Sequence, residues 1–269
     1  MFQKNKTKFD KICKKVRLKT LESIYKAGSG HIGSSMSIVE ILVYLIFFYK
    51  IYSKSNASKL VLSKGHAVPS LYAALAVFKK ISEKKLMTLR KINSKLQGHP
   101  DKARFNLMDA STGALGQGIS IGIGYALANK LNKLNNKVFC IIGDGEMQEG
   151  QIWESAMYIG ARKIDNICII IDYNKFQNEL SINKTLPMGN VKKKWESFGF
   201  KVFEVNGHSI IELRKIFILA KKQKNKPVTI ICHTVKGKGL SFAEGKAEWH
   251  HKSMITQNQI QEMKRELYK

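Results

Sequence analysis

Residues 143–174 read GDGEMQEGQIWESAMYIGARKIDNICIIIDYN, and the rest of the chain is arranged about them. An apolar run, Val138 to Ile142, stops abruptly at Gly143-Asp144-Gly145, and a second, Ile167 to Ile171, stops at Asp172-Tyr173-Asn174. Each reads as a buried strand whose exit carries polar oxygen atoms. Between them Glu149 to Ala161 has helical character, so the unit is strand, loop, helix, strand. A right-handed crossover of such a unit puts both strand exits on one edge of a parallel sheet. Open α/β sheets hold their ligands at that edge.

The residues at these exits suit a hard cation and a phosphate. Asp144 offers a carboxylate and Asn174 an amide carbonyl, oxygen donors of the kind Mg²⁺ takes alongside water and phosphate oxygens. Glycines at 143 and 145 allow backbone to approach a ligand. A Gly-Asp-Gly tripeptide alone is also an ordinary turn. What favours a ligand site is the second oxygen donor, 30 residues later at the end of the next strand.

The length of 269 residues, with strands and helices alternating and no Pro/Gly/Ser-rich linker or internal repeat, predicts one α/β domain over 1–269. The expected architecture is an open, mostly parallel sheet with helices on both faces. The net charge of +26 would ordinarily point to nucleic acid or an anionic membrane. Yet 40 of the 46 basic residues are lysine, spread along the whole length with no arginine-rich arm. An AT-rich genome produces the same excess of Lys, Asn and Ile, so no specific nucleic acid partner is expected. A basic nucleic-acid-binding protein stands as the rival from a different class. Cys140, Cys168 and Cys232 lie in apolar strand runs and Cys13 in a basic helix, without a CxxC pair, as in a core kept reduced. The N-terminus, MFQKNKTKFDKICKK, lacks the apolar stretch of a signal peptide. The longest apolar run, Ile41 to Tyr49, is too short for a bilayer and reads as a helix buried on most sides. A cytoplasmic protein with no membrane association is expected.

Along the chain, Phe9, Ile12, Val16, Thr20 and Ile24 mark a first amphipathic helix that stops at Gly28-Ser29-Gly30. His31 follows in a glycine-rich turn, and Ser37-Ile-Val-Glu40 reads as a capping box opening the next helix. Lys59 to Leu62 is a short strand leading into Ser63-Lys64-Gly65-His66, with a helix marked by Leu71, Leu75 and Phe78. A third loop histidine, His99, sits in Gly98-His99-Pro100-Asp101. Imidazoles on three separate glycine-flanked loops can donate to phosphate or sugar hydroxyls and relay protons near neutral pH. Ser111 to Gly118, STGALGQG, is a second glycine-rich loop, and a helix continues on Leu115, Ile119, Ile123, Leu127 and Leu131. Its start is an anion site, and Gly122 and Gly124 imply close packing on the sheet or a partner helix. A dinucleotide-binding fingerprint is disfavoured, because the loop does not directly follow a strand and no acidic residue ends a next strand about 20 residues on. Lys175 to Val191 reads as loop, Lys201 to Val205 as strand, His208 as part of a turn before a helix capped by Ser209 and Glu212, and Val228 to Cys232 as strand. Lys236 and Lys238 have the chemistry to contact phosphate, but in so basic a chain they read as a solvated loop. A last helix begins near Thr256, with Ile260, Met263 and Leu267 on one face.

Taken together, GHIGSSMS, LSKGHA, GHP, STGALGQG, GDGEMQEG, DYNKFQ, HTVKGKG and EWHHK resemble, in order and interval, the N-terminal half of transketolases over about residues 10 to 252. The Gly-Asp-Gly to Asn spacing is similar to the thiamine diphosphate fingerprint, with Tyr173 where many members have a further Asn. The resemblance implies a thiamine diphosphate-binding domain in which Asp144, Asn174 and the backbone carbonyl of Phe176 hold Mg²⁺. It implies backbone contacts to the cofactor from Gly113 and Leu115, contacts at the diphosphate and reaction centre from His66, Gly145 and His250, and active-site roles for His31, His66, His99 and His250. His250 is preferred over His251 because the Trp-His pair is the matching element. Glu149 matches an acidic residue of a network linking paired cofactor sites across a subunit interface. The chain is most similar to the type of transketolase encoded as two polypeptides, as its N-terminal subunit. The implied activity is transfer of a two-carbon ketol unit from a ketose phosphate to an aldose phosphate, as in the pentose phosphate pathway. The implied partner is a C-terminal subunit with the pyrimidine-binding half, in a heterotetramer. A deoxyxylulose phosphate synthase-like subunit, or one specialised for another ketose, is the nearer alternative.

Overall fold

The computed structural model describes residues 2–53, 58–178, 180–251 and 255–268. In chain order its elements are α1 (Phe2–Ala27), α2 (Ile32–Ser37), α3 (Val39–Phe47), β1 (Lys59–Leu62), α4 (Val68–Val77), α5 (Glu83–Leu86), α6 (Gln117–Leu131), β2 (Val138–Gly143), α7 (Gly150–Ala161) and β3 (Ile167–Tyr173). There follow β4 (Phe176–Gln177), β5 (Leu180–Ser181), α8 (Ile182–Thr185), α9 (Val191–Ser197), β6 (Lys201–Asn206), α10 (Ile210–Lys222), β7 (Val228–His233) and α11 (Gln257–Tyr268).

Five strands form a wholly parallel sheet in the order β1-β2-β3-β7-β6, with β4 and β5 pairing as a separate antiparallel hairpin. Successive side chains of a strand point to opposite faces, and here the two faces carry separate cores. Phe139, Ile141, Cys168, Ile170 and Ile230 join the larger cluster with α1, α3, α4 and α10, whereas Val138, Cys140, Ile142, Ile169 and Ile231 join a smaller one with α6, α7 and α9. β2 is therefore apolar throughout and β3 is apolar up to Asp172, as strands covered on both sides require, whereas the edge strand β6 mixes buried and exposed residues. The expected α/β architecture with helices on both faces is what forms. Gly143 registers with Asp172, so the two strand exits read from the sequence lie side by side. In the last helix Ile260 and Met263 are buried as expected, while the side chain of Leu267 lies outside the described residues.

Three expectations are corrected. Ser37 does not cap a helix: the chain turns into α2 straight after His31, and α3 begins at Val39 without a side-chain cap. Ser37 Oγ donates instead to the carbonyl of Ser34 and to Asp172, while Glu40 pairs with Arg17. A buried carboxylate gains more from a buried guanidinium than from a backbone N–H, and the capping box loses that competition. The buried face of α6 runs through Gly118, Ile119, Gly122, Ala126 and Asn129, while Leu131 is 84% exposed. Glycine decides this rotation: a Cβ at Gly118 would lie 2.5 Å from Ser63 Oγ, so the helix approaches β1 on its smallest residues. Gly122 faces the sheet likewise, with Ile167 at 3.3 Å, but Gly124 has open space around it. Finally, the 175–191 segment is not all loop, since β4, β5 and α8 lie within it. Ser209 does cap α10, accepting from Glu212 N–H, although Glu212 returns its bond to Asn206 N–H.

All four cysteines are buried and free. Among the described residues no helix is long and apolar enough to cross a membrane.

Candidate active site

The exits of β1, β2 and β3, the segments around the start of α2 and before α6, and His250 enclose a cavity of about 240 Å³. It is lined by His31, Ser34, Lys64, His66, His99, Gly113, Leu115, Gly143, Asp144, Gly145, Glu146, Asn174, Phe176, Gln177, Asn178 and His250. Every site residue expected from the sequence is in that set except Glu149, which is exposed at the N-terminus of α7. A second hollow of about 720 Å³ shares His31, Gln177, Asn178 and His250 with the first and adds Leu180, Thr185 and His251. Of the two adjacent histidines, only His250 reaches the inner cavity.

The floor is a network about Asp172, which is fully buried. Its carboxylate forms an ion pair with Lys64 and accepts from Thr234 Oγ1, from Ser37 Oγ at 2.7 Å and from Asn174 Nδ2 at 2.8 Å. Burial alone would raise its pKa, but Lys64 outweighs burial and holds it below the usual range. A carboxylate that only accepts fixes the flip of the Asn174 amide. The amide nitrogen faces Asp172, and Oδ1 is left to accept from Phe176 N–H at 3.1 Å.

Asp144, 1% exposed, accepts from the backbone N–H groups of Gly145 and Lys175. Burial first and the neighbouring Asp172 second push its carboxyl up to about 7. A buried carboxylate raised in this way, beside an amide oxygen, is a donor set that fits a hard cation. Among the described residues no group of three or more His, Cys, Asp and Glu is placed to hold a metal, so a cation here would rely on the Asp, Asn and carbonyl oxygens. Glu146, also buried, ties three lining segments together: it accepts from Ser63 Oγ, from Gly116 N–H at 2.9 Å and from Gly143 N–H at 2.9 Å. Gly113 takes φ +152, and a Cβ there would meet the His99 ring at 3.2 Å.

Over this floor stand the histidines. The ring of His31 lies 5.1 Å from that of His66, 5.3 Å from His250, 4.7 Å from His251 and 6.3 Å from His99, centre to centre. Burial, then the charge of a neighbouring group, lowers His31 and His250 to about 3, and lowers His66 well below its ordinary value. His99 is lowered too, by burial and Arg90. These imidazoles are thus neutral at physiological pH, each with one N–H to give and one lone pair to accept. His31 Nδ1 is buried without a hydrogen-bond partner, an acceptor or donor in waiting inside the cavity.

Lys64, Ser34, Glu146, Gln177 and Asn178 line the site without standing out in the sequence. Lys236 is expected in a solvated loop, yet it is fully buried, with Nζ 2.9 Å from the carbonyl of Asn178 and 2.9 Å from His250 Nδ1. Ser34, Lys64, Glu146, Gln177 and Lys236 do sit inside the quoted motifs GHIGSSMS, LSKGHA, GDGEMQEG, DYNKFQ and HTVKGKG, which is the available signal. In so basic a chain, a lysine gives no sign of its burial.

Residues 9–268 match the family described as transketolase, thiamine diphosphate binding domain. The chain is 42% identical over 241 residues to a 6-deoxy-6-sulfo-D-fructose transketolase subunit of Clostridium sp. (strain MSTE9), covering 88% of each chain. It is 36% identical over 258 residues to an apulose-4-phosphate transketolase subunit of Phocaeicola vulgatus, covering 94% of this chain and 91% of that one. The transketolase of Campylobacter jejuni superposes with a TM-score of 0.89 at 30% identity, over 97% of this chain but 42% of that longer one. Sequence and fold agree, and the chain belongs to the transketolase family as its thiamine diphosphate binding domain.

Proposed function

We propose that this chain, a single domain over 1–269, is the N-terminal subunit of a two-polypeptide transketolase and moves a two-carbon ketol unit between sugar phosphates only when joined to a C-terminal subunit. The observation that carries the reading is the meeting of Asp144, Asn174 and Phe176 with four neutral histidines in one cavity at the strand exits. Asp144, Asn174 Oδ1 and the Phe176 carbonyl would hold Mg²⁺, and the Gly113–Leu115 backbone, His66, Gly145 and His250 would hold thiamine diphosphate. When bound, that cofactor supplies an electron sink for breaking the bond beside a ketose carbonyl. The chain's own part is to bind, orient and move protons. His31, His66, His99 and His250 present N–H groups to sugar hydroxyls, and a neutral ring with an open nitrogen, as His31 has if its proton sits on Nε2, can accept a proton as a hydroxyl gives it up. Asp172, paired with Lys64, holds the Asn174 amide nitrogen, so that Oδ1 would be the atom offered to the cation. Glu149, exposed beyond the cavity, would contribute to an acidic network across a subunit boundary and not to direct cofactor contact.

Support for a partner comes from the two relatives named as subunits, which this chain matches along nearly their whole length. The test is to combine the purified chain with its C-terminal counterpart, thiamine diphosphate, Mg²⁺, xylulose 5-phosphate and ribose 5-phosphate. Activity is expected from the mixture, with two of each subunit in the assembly, and none from this chain alone. Full activity without the partner would refute the reading. A second donor is favoured by the names of those relatives, whose ketoses are not xylulose 5-phosphate. Assaying the same mixture with 6-deoxy-6-sulfofructose and apulose 4-phosphate decides between them, and formation of a deoxysugar phosphate from pyruvate would point instead to a synthase.

A further inference from the structure

Behind the cavity wall lies a cluster that the proposed chemistry does not use. Arg17 Nη2 is 2.7 Å from Glu40 Oε1 and donates to Oε2 at 2.8 Å. His208 Nδ1 stands 2.9 Å from the same Oε2, and His208 Nε2 accepts the backbone N–H of Val235 at 2.9 Å. That second bond settles the tautomer, since a neutral imidazole that accepts at Nε2 must donate from Nδ1. Burial would raise Glu40, but Arg17 and His208 outweigh it and hold the carboxyl below its ordinary value. Arg17 Nε also donates to the carbonyl of Lys238 at 2.7 Å, and Gly237 N–H to the carbonyl of Gly33 at 3.0 Å. The 235–239 loop is therefore fastened at three places, by β6's exit, by α1 and by the first turn of α2. What it carries is Lys236, whose Nζ meets His250 Nδ1. An ammonium group donates and cannot accept, so Nδ1 of His250 is the acceptor and its proton resides on Nε2.

We propose that His208 is a positioning residue of the candidate site. Through Val235 it sets the loop that holds Lys236 against Nδ1 of His250, and so fixes which nitrogen of His250 bears the proton. What His250 then does rests on the function proposed above, but the contact itself does not.

The groups facing His250 are Lys236 on the β7 exit loop, Lys64 and His66 on the β1 exit, His31 at the start of α2, and the adjacent His251. Removing the link to Lys236 leaves the others in place. The experiment uses the full chain alone, labelled with ¹⁵N-histidine, without cofactor or partner, titrated by NMR from pH 8 to pH 4. His250 is assigned by the signal lost in His250→Asn. In the unaltered chain His250 is expected as one Nε2–H tautomer that stays unprotonated. In Lys236→Met its midpoint should rise by at least about one pH unit, the effect of a like charge this close, with the Nδ1–H tautomer appearing. His208→Asn keeps a donor toward Glu40 but is too short to place an acceptor where Nε2 meets Val235 N–H, and it should shift His250 in the same direction. The proposal is overturned if His250 is unchanged in His208→Asn while the other histidines keep their signals, and equally if it is unchanged in Lys236→Met, a variant outside the buried Arg17–Glu40–His208 cluster. Failure of the chain to bind thiamine diphosphate would count against the proposed function and leave this result standing.

Discussion

Asp144 and Asp172 sit at adjacent strand exits, both buried, and their surroundings send them opposite ways. Lys64 keeps Asp172 charged, whereas Asp144, with backbone N–H groups and a second carboxylate for neighbours, is pushed up to about 7. Asp144→Ala is expected to weaken Mg²⁺-dependent binding of thiamine diphosphate by at least about tenfold, or about 1.4 kcal/mol, as read by calorimetry with and without the metal. Unchanged binding would remove Asp144 from the cation's ligands. The histidines make a second residue-scale prediction. Their pKa values fall on folding, so the unfolded chain binds more protons below its ordinary value of about 6.5. Stability is accordingly full above that pH and declines as pH falls toward the folded values. For His66 the decline reaches up to about 1.4 kcal/mol per pH unit. Urea midpoints at pH 7.5 and 5.5 should differ in that sense, and His66→Asn should reduce the difference. At this scale the site is legible where a residue type is scarce. Histidines beside glycine on loops, as at His31, His66 and His99, and an Asp and an Asn at the ends of apolar runs, stand out. Lys64 and Lys236 do not, because burial of a lysine depends on partners brought from distant parts of the chain, Asp172 for one and His250 for the other.

Among the elements, α6 shows how small residues set the geometry around the site. Gly118 lets the helix lie on Ser63, and the same helix start brings Gly116 N–H to Glu146. Gly118→Ala would gain about 1 kcal/mol of helix propensity, but its Cβ would stand 2.6 Å from the Ser63 Cα, and overpacking of that kind costs about 1 to 3 kcal/mol. The net effect should be a loss. Gly124→Ala, where nothing lies within 4 Å, should instead raise stability by up to about 1 kcal/mol. Thermal melts of the two variants moving in the same direction would contradict this account of the helix. The existence of α6, α7 and the apolar strands is readable from periodicity and from glycine punctuation. The face that α6 buries is not, because periodicity favours a leucine stripe over a glycine row, and the sheet lies closest to the glycines. The capping box at Ser37 fails for a related reason, since the partners that win, Arg17 and Asp172, are remote in sequence.

For the molecule as a whole, the charge of +26 remains outside the site's logic. If it reflects composition, duplex DNA in a mobility-shift assay should bind only weakly, with affinity falling by about a thousandfold or more between 50 and 200 mM salt, the range seen for contacts to several phosphates. Tight, salt-resistant binding would revive the nucleic-acid reading. Sheet order also governs when the site can exist during synthesis. Strand β7 lies between β3 and β6, and β6 has no other neighbour among the described strands. A ribosome that has released residues up to Asn206 has therefore exposed a strand with nothing to pair with, and both Thr234, which bonds Asp172, and Lys236 are still unmade. Non-local parallel pairing of this kind folds slowly and leaves apolar edges open while it waits. Folding of the sheet is thus expected to be late and post-nascent, with the cavity among the last features to close, so that the growing chain should depend on chaperones until β7 has emerged.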